Sequence, residues 1–350
     1  MQQLFSSAHS GPFGRRLKHT RGTRIPVTVV TGFLGAGKST LVKHFLQTPE
    51  GRGTAIVVNE FGAAGIDDAL LRSSSDETVL LGNGCLCCNV RSDLQLALHR
   101  LVSERERGQV PYFHRMVIET SGLADPGPIL RTFATDRALG GEFHIGTLLT
   151  VVDAVTGIST LSQFPEARRQ VMLADRLMLS KTDLADAAAV QNLTSELRRL
   201  NPHARIDLVR HGRADPACFV EELGEGRMCD YAAEVVHGDD IKSFVLTEDT
   251  PIDWAVFARA MDTLVALRGF DLLRAKGILD VKGCQGPVVV QFVQHLAHPP
   301  VELAAWPDQQ RGSRMVFIVR NVDERQVRAL FEAVRGLARE RDTPSITPRT

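Results

Sequence analysis

The chain lacks a net charge: forty-one lysines and arginines are matched by forty-one aspartates and glutamates. Without a positive field the molecule has no sequence-independent hold on a phosphate backbone, so nonspecific nucleic-acid binding is excluded and only a local basic patch stays open. Long apolar runs are also missing. None reaches the roughly 18 to 20 residues that a membrane helix needs, the best candidates being short stretches such as Ile25 to Thr31 and Val288 to Val290. Neither a membrane span nor a secretory signal is expected. No internal repeat or low-complexity tract interrupts the chain. The six cysteines do not make a disulfide framework either, because three of them fall at Cys85, Cys87 and Cys88. Vicinal and next-but-one cysteines rarely meet the Cα separation of a relaxed bridge. Clustered thiols point instead to metal or redox chemistry in a reducing compartment, and the cytoplasm is the expected location.

What is present is the composition of a folded globular protein, 43% hydrophobic and 23% charged over 350 residues. At roughly 150 residues per domain that length predicts about two domains. Residues 1–24 carry Arg15, Arg16, Lys18, Arg21 and Arg24 and no acid. This superficially matches an organelle transit peptide. Only Phe13 and Leu17 fall at helical spacing, however, so the segment reads as a flexible basic extension. Short β-branched runs then alternate with amphipathic ones. Strands are expected at Ile25 to Thr31, Ala55 to Val58, Val79 to Leu81, Met116 to Ile118, Leu148 to Val152 and Arg176 to Leu179. Helices are expected at Ser39 to Leu46, Ser92 to Val102, Ala167 to Leu173 and Leu193 to Leu200. The alternation predicts an α/β domain over 25–235 with a mostly parallel sheet. Gly212 to Asp240 is rich in Gly and reads as its linker. Residues 236–340 then predict a smaller α+β domain, with strands at Ser243 to Leu246, Ile278 to Val281, Val288 to Val293 and Met315 to Val319. Its helices are expected at Trp254 to Leu267 and Glu324 to Leu337, before a tail at 341–350.

Gly32-Phe-Leu-Gly-Ala-Gly-Lys-Ser39 satisfies G-x-x-x-x-G-K-[ST] directly after a predicted strand and at the start of a helix. The context makes a phosphate-binding P-loop. Glycines let backbone N–H groups surround phosphates, the helix N-terminus adds its positive end, Lys38 reaches the β and γ oxygens, and the Ser39 hydroxyl ligates Mg²⁺. Met116-Val-Ile-Glu119 ends a strand in an acid, with Gly122 three residues later. A backbone N–H near that glycine can bond a terminal phosphate and lose it on hydrolysis. The bland alternative is a strand-end turn. Ser180-Lys-Thr-Asp183 is similar to the [NT]KxD signature of guanine-nucleotide proteins, with Asp183 able to accept from guanine N1–H and the exocyclic amine together. GTP is therefore preferred over ATP.

Gly82-Asn-Gly-Cys-Leu-Cys-Cys88 sets three soft ligands on a glycine-flanked turn. Thiolates at this density suit Zn²⁺, and also Co²⁺ or Cu⁺, and three of them leave a tetrahedral position open. Buried packing of Cys85 or Cys88 and a redox role are the alternatives.

Taken together, GFLGAGKST at 32–40, NEFGAAGID at 59–67, GCLCC at 84–88, ETSGLADP at 119–126, VVDA at 151–154 and SKTD at 180–183 resemble the CobW-like metallochaperone GTPases. These are P-loop G proteins of the SIMIBI type, and the resemblance points to the YjiA-like branch. LLRAKGIL at 272–279, VVVQFVQ at 288–294, Trp306-Pro307 and SRMVFIV at 313–319 extend it into the second domain. The resemblance implies a slow GTPase that loads a transition metal in one nucleotide state and hands it to a client metalloprotein in another. It implies phosphate contacts from Gly32, Gly35, Ala36, Gly37, Lys38, Ser39 and Thr40, with Gly122 at the terminal phosphate and Lys181 and Asp183 at the base. Zn²⁺ would be held by Cys85, Cys87 and Cys88, and Mg²⁺ by Ser39. Lys38, Glu60 and Glu119 are assigned to the reaction, Glu60 as a coupling residue and a weaker metal-ligand candidate.

Three departures from the family pattern stand out. Ala63 replaces a Glu that many relatives carry, which removes a candidate oxygen ligand. Only an isolated His237 stands where many relatives have a histidine-rich run, which argues against metal storage. Ser180 replaces the usual Asn, which is expected to weaken hydrogen bonding between loops. The client is expected to dock on the second domain, and a homo-oligomer is left open. A regulatory switch with a structural zinc and a P-loop kinase are the competing readings.

Overall fold

The computed structural model describes residues 24–59, 79–82, 90–202, 204–220, 235–237, 241–269, 271–293, 296–297, 300–306 and 311–342. Glu60, Ala63, Cys85, Cys87, Cys88 and the basic extension before Arg24 lie outside them. Contacts group the chain into two compact units, one within Gly22–Tyr231 and one within Ala232–Thr350.

The first unit runs β1 (Ile25–Gly32), α1 (Lys38–Leu46), β2 (Thr54–Asn59), β3 (Val79–Gly82), α2 (Val90–Glu106), β4 (Arg115–Thr120), α3 (Gly127–Thr135), α4 (Arg137–Glu142), β5 (Phe143–Asp153), α5 (Gly157–Gln163), α6 (Pro165–Leu173), β6 (Arg176–Ser180), α7 (Ala187–Leu200), β7 (Arg205–Leu208) and α8 (Ala217–Val220). Its seven strands are ordered β3-β2-β4-β1-β5-β6-β7, and every pairing is parallel. A parallel sheet needs crossover segments on its faces, and both faces are covered here. One carries Leu41, Val42 and Phe45 of α1 with Phe219 of α8 against Val30, Val117 and Leu149. The other carries Leu161, Val171, Leu193 and Leu197 against Val152, Leu177 and Leu179. Phe45 and Phe219 stack with centroids 4.1 Å apart, and Cys218 beside them is buried as a small hydrophobe.

β7 is not foreshadowed in the sequence because it is an edge strand, half-buried, with Arg205 and Asp207 among its four residues. Asp207 is held there by the Arg176 guanidinium, Nε to Oδ2 at 3.0 Å. The short helices α3 to α5 are likewise additions to the expected set.

The second unit runs β8 (Val235–His237), β9 (Ile241–Glu248), α9 (Trp254–Arg268), β10 (Leu272–Leu279), β11 (Val288–Val293), β12 (Leu296–Ala297), β13 (Val301–Glu302), β14 (Ser313–Arg320) and α10 (Glu324–Asp342). Its sheet is antiparallel, ordered β12-β11-β10-β14-β9-β8 with β13 on β11. Phe244, Ala275, Val290, Phe292 and Phe317 form the sheet side of a core that α9 closes with Trp254, Phe257 and Met261. Asp253 caps α9 by accepting from the N–H groups of Ala255 and Val256.

One expected strand is displaced. The sequence pattern places it at Ile278 to Val281, whereas β10 starts at Leu272 and Val281 makes only an isolated bridge with Ile252. The alternation is camouflaged because Arg274 and Lys276 interleave with the small residues Ala275 and Gly277. Size matters at Gly277, since a Cβ there would lie 2.6 Å from the Arg314 carbonyl oxygen and 2.8 Å from Met315 Cβ. Gly277→Val should therefore lower the unfolding free energy by about 1–3 kcal/mol through overpacking. Gly141→Ala, in α4 with nothing within 4 Å of the added Cβ, should gain up to about 1 kcal/mol from helix propensity. Urea denaturation of the two variants checks the opposite signs.

Candidate functional site

Parallel pairing brings the carboxyl ends of the strands to one edge of the sheet. Val30 pairs with Glu119 and Gly32 with Val151, while Asp153 pairs with Ser180, so residues distant in sequence arrive side by side. Ligands of open α/β sheets bind at such an edge.

The loop after β1 departs from the sheet under strict steric limits. A Cβ at Gly32 would sit 2.3 Å from the Val151 carbonyl oxygen, and Gly32, Gly35 and Gly37 all have positive φ, at 142°, 70° and 95°. Gly37 is the N-cap of α1 in the left-handed region. Only glycine adopts these angles without strain. Lys38 is buried at 8% exposure, and its ammonium donates to the carbonyls of Gly32 at 2.9 Å and Phe33 at 3.1 Å.

Ser39 and Glu119, far apart in sequence, are brought together. The Ser39 hydroxyl donates to Glu119 Oε1 at 2.6 Å, and Glu119 is buried at the end of β4. Thr120 Oγ1 donates to Thr31 Oγ1 at 2.8 Å, tying β4 to β1. The turn that follows packs directly on the P-loop: a Cβ at Gly122 would lie 2.6 Å from the Leu34 backbone nitrogen. Ala124 N–H closes this turn on the Ser121 carbonyl at 3.1 Å.

At the other side, Ser180 links the loops. Its hydroxyl donates to the Ala36 carbonyl at 2.6 Å, with Val152 O at 3.3 Å, so serine does connect the P-loop to the segment after β6. Lys181, in the left-handed region at φ 56°, pairs with Asp153 Oδ2 at 2.5 Å. Asp153 accepts the Val155 and Thr156 N–H groups as well. Burial pushes the Asp153 carboxyl up, but Lys181 and these N–H groups outweigh it and hold it below its ordinary 3.8. Asp183 meets His211, whose N–H donates to Oδ1 at 3.1 Å and whose Nδ1 lies 3.1 Å from Oδ2. These contacts lower its pKa, chiefly through the His211 N–H and its own N–H. Thr40 packs on the same loop, its methyl 2.6 Å from where a Gly212 Cβ would stand.

Lys38, Ser39, Glu119, Gly122, Lys181 and Asp183 thus share one edge of one sheet. Glu60 and the three cysteines fall outside the described residues, among which no group of three His, Cys, Asp or Glu could hold a metal. Asp153, which the sequence reading carried only within VVDA and gave no role, and His211, which it did not single out, join the site. For Asp153 the signal was available, since it ends a buried strand as Glu119 does. For His211 there was none.

A glycine-rich loop closing on α1, a hydroxyl bonded to a strand-end carboxylate and an acid on the neighbouring loop after β6 define a P-loop nucleotide-binding protein. Residues 26–207 match the CobW/HypB/UreG nucleotide-binding domain, and residues 241–335 match the cobalamin synthesis protein cobW C-terminal domain. The chain belongs to the CobW/HypB/UreG family and is a P-loop GTPase. It is 35% identical over 318 residues to the zinc chaperone YjiA of Escherichia coli, covering 89% of this chain and 99% of that one. It is 28% identical over 352 residues to the zinc chaperone CobW of Sinorhizobium, covering 89% and 97%. The zinc-regulated GTPase metalloprotein activator 1 of Schizosaccharomyces pombe is 34% identical over 206 residues, 57% of this chain and 49% of that protein. The crystal structure of Zn(II)-bound YjiA GTPase superposes with a TM-score of 0.65 at 30% identity, covering 89% of this chain and 99% of that one. Among the described residues no helix is long and apolar enough to cross a membrane.

Two outcomes follow from this geometry. Ser180→Ala removes the donor from the Ala36 carbonyl and should cost about 1–2 kcal/mol of domain stability, read by urea unfolding. Because the Asp153 carboxyl lies below 3.8, its pairing contribution is complete above that value and is lost as pH falls through the lowered pKa. An NMR titration of Asp153 should show its midpoint rise in Lys181→Met.

Proposed function

We propose that this chain is a GTP-hydrolysing zinc chaperone, which binds Zn²⁺ in a nucleotide-dependent manner and passes it to a client metalloprotein. The observation that carries the reading is the Ser39–Glu119 contact at 2.6 Å, which joins the P-loop to the turn holding Gly122. Any ligand that engages Ser39 must act on Glu119, and through it on that turn. The zinc-chaperone names of relatives aligned over nearly their whole length support the choice of cargo.

The hydroxyl of Ser39 and the buried carboxylate of Glu119 are oxygen donors of the kind a hard cation takes, so the pair fits Mg²⁺. When bound, Mg²⁺ would supply positive charge to the β and γ phosphate oxygens. The remaining work falls to the chain. Lys38 holds the β and γ oxygens, the N–H groups of Gly35 to Thr40 line the phosphates, and Gly122 N–H reads the terminal phosphate. Asp183 accepts from the guanine edge, with Lys181 held beside it by Asp153. Hydrolysis breaks the bond between the β–γ bridging oxygen and the γ phosphorus, water adds to that phosphorus, and GDP and phosphate leave. The Gly122 contact is then lost and the turn is released.

Cys85, Cys87 and Cys88 are the cargo ligands in this scheme, and Glu60 the link between them and the nucleotide. The C-terminal domain is the client surface, and the chain acts in the cytoplasm. Coupling is reciprocal, so zinc must favour the same nucleotide state that favours zinc. Zinc titration against a competing chelator, with Mg²⁺ and either GDP or a non-hydrolysable GTP analogue, tests the proposal. The expected result is an affinity at least fivefold higher in the GTP-analogue state, lost when Cys85, Cys87 or Cys88 is replaced by Ser. Equal affinity in both states would leave a GTPase with a static metal and overturn the chaperone reading.

A further inference from the structure

The turn that carries Gly122 is held from behind by a residue that nothing in the P-loop pattern specifies. Gln170, on α6, is 1% exposed. Its Nε2 donates to the Gly122 carbonyl at 3.1 Å and to the Ala124 carbonyl at 3.0 Å. Both amide hydrogens are thereby used, and since both partners are acceptors the amide can only be oriented this way round. The Gln170 backbone is anchored in turn, because Thr150 Oγ1 of β5 donates to its carbonyl at 2.8 Å. A cavity of about 20 Å³, bordered by Gln170, Thr150, Phe33 and Leu34, places the glutamine against the P-loop as well.

The two carbonyls flank Leu123, which is 51% exposed, so the apex of the turn faces solvent while its shoulders are tethered. A trans peptide is planar, and its C=O and N–H point in opposite directions. Holding the Gly122 and Ala124 carbonyls fixes the Gly122–Leu123 and Ala124–Asp125 peptide planes, and so restrains the short segment that carries the Gly122 N–H. The turn is also confined from the front, since Gly122 approaches Leu34 closely enough to leave no space for a side chain. The Gln170 bonds add to this close approach a restraint from behind.

We propose that Gln170 is a positioning residue for nucleotide-state discrimination: its side-chain amide keeps the 121–124 turn where a γ-phosphate can be read, so GTP is distinguished from GDP through it. The inference rests on the reading of Gly122 as the terminal-phosphate contact. It adds the residue that sets how firmly that contact is presented. GDP, lacking the γ-phosphate, gains nothing from the seated turn.

Fluorescent GDP and a fluorescent non-hydrolysable GTP analogue, each with Mg²⁺, would be titrated into the full-length wild-type protein, Gln170→Leu, Gln170→Met and Thr150→Val. In the glutamine variants the GTP-analogue affinity should fall about five- to tenfold and kcat should fall with it, while GDP affinity stays within about twofold. Thr150→Val loses the backbone anchor and keeps the amide; it should lower the unfolding midpoint and leave the ratio of the two affinities unchanged. A merely structural Gln170 would weaken both nucleotides equally, and that result, or an unchanged ratio in both glutamine variants, would overturn the inference. Should Gln170→Leu not fold, the Met variant carries the decision. Failure of the underlying reading looks different: the wild-type protein itself would bind GDP and the GTP analogue with equal affinity, leaving no γ-phosphate contact for Gln170 to present.

Discussion

The site depends on β1 being gripped from both sides by parallel partners. Pairing with β4 and β5 sets where the chain leaves the sheet, and the Val151 carbonyl at that point leaves room only for glycine. Parallel register then does the rest, because every strand presents its last residue at the same edge. Glu119, Asp153 and Ser180 meet there although long stretches of chain separate them. Each makes a bond that ties one loop to another: Glu119 to Ser39, Asp153 to Lys181, Ser180 to the Ala36 carbonyl. The P-loop is thus fastened from two directions, and a change in one loop has a short mechanical route to the next.

What could be read from the sequence was whatever forms a contiguous pattern. The P-loop, the acid closing β4 and the SKTD segment each sit in a few adjacent residues, and hydrophobic runs mark the strands they follow. Tertiary partnerships left no such trace. Gln170 lies in Pro165-Glu-Ala-Arg-Arg-Gln-Val-Met-Leu173, where nothing marks it as different from a surface glutamine, and its partner carbonyls are 48 and 46 positions away. The contact of Asp183 with His211 spans 28 positions and belongs to a loop after an edge strand. Ser180 shows the opposite failing. Judged against a consensus it reads as a loss, yet a hydroxyl is long enough to reach a carbonyl that the fold brings to 2.6 Å.

The second domain was legible as a class and less so in detail. Its apolar strands and the helix beginning at Trp254 were apparent from pattern alone. β10 was shifted because charged residues occupy one side of it and small ones the other, so hydrophobicity alternates weakly where the backbone alternates fully. Steric crowding at Gly277, not hydrophobicity, is what that position encodes.

Lys38 carries a consequence for how tightly the site can grip. Its ammonium already has the carbonyls of Gly32 and Phe33 as partners, inside the loop that it must serve. A phosphate that recruits it gains only the difference between a charged acceptor and these neutral ones, and on departure the lysine has somewhere to return. Release then exposes no bare buried charge. A loop with such an internal reserve of acceptors is suited to repeated exchange, and less to the near-permanent retention that an unsatisfied buried cation would enforce.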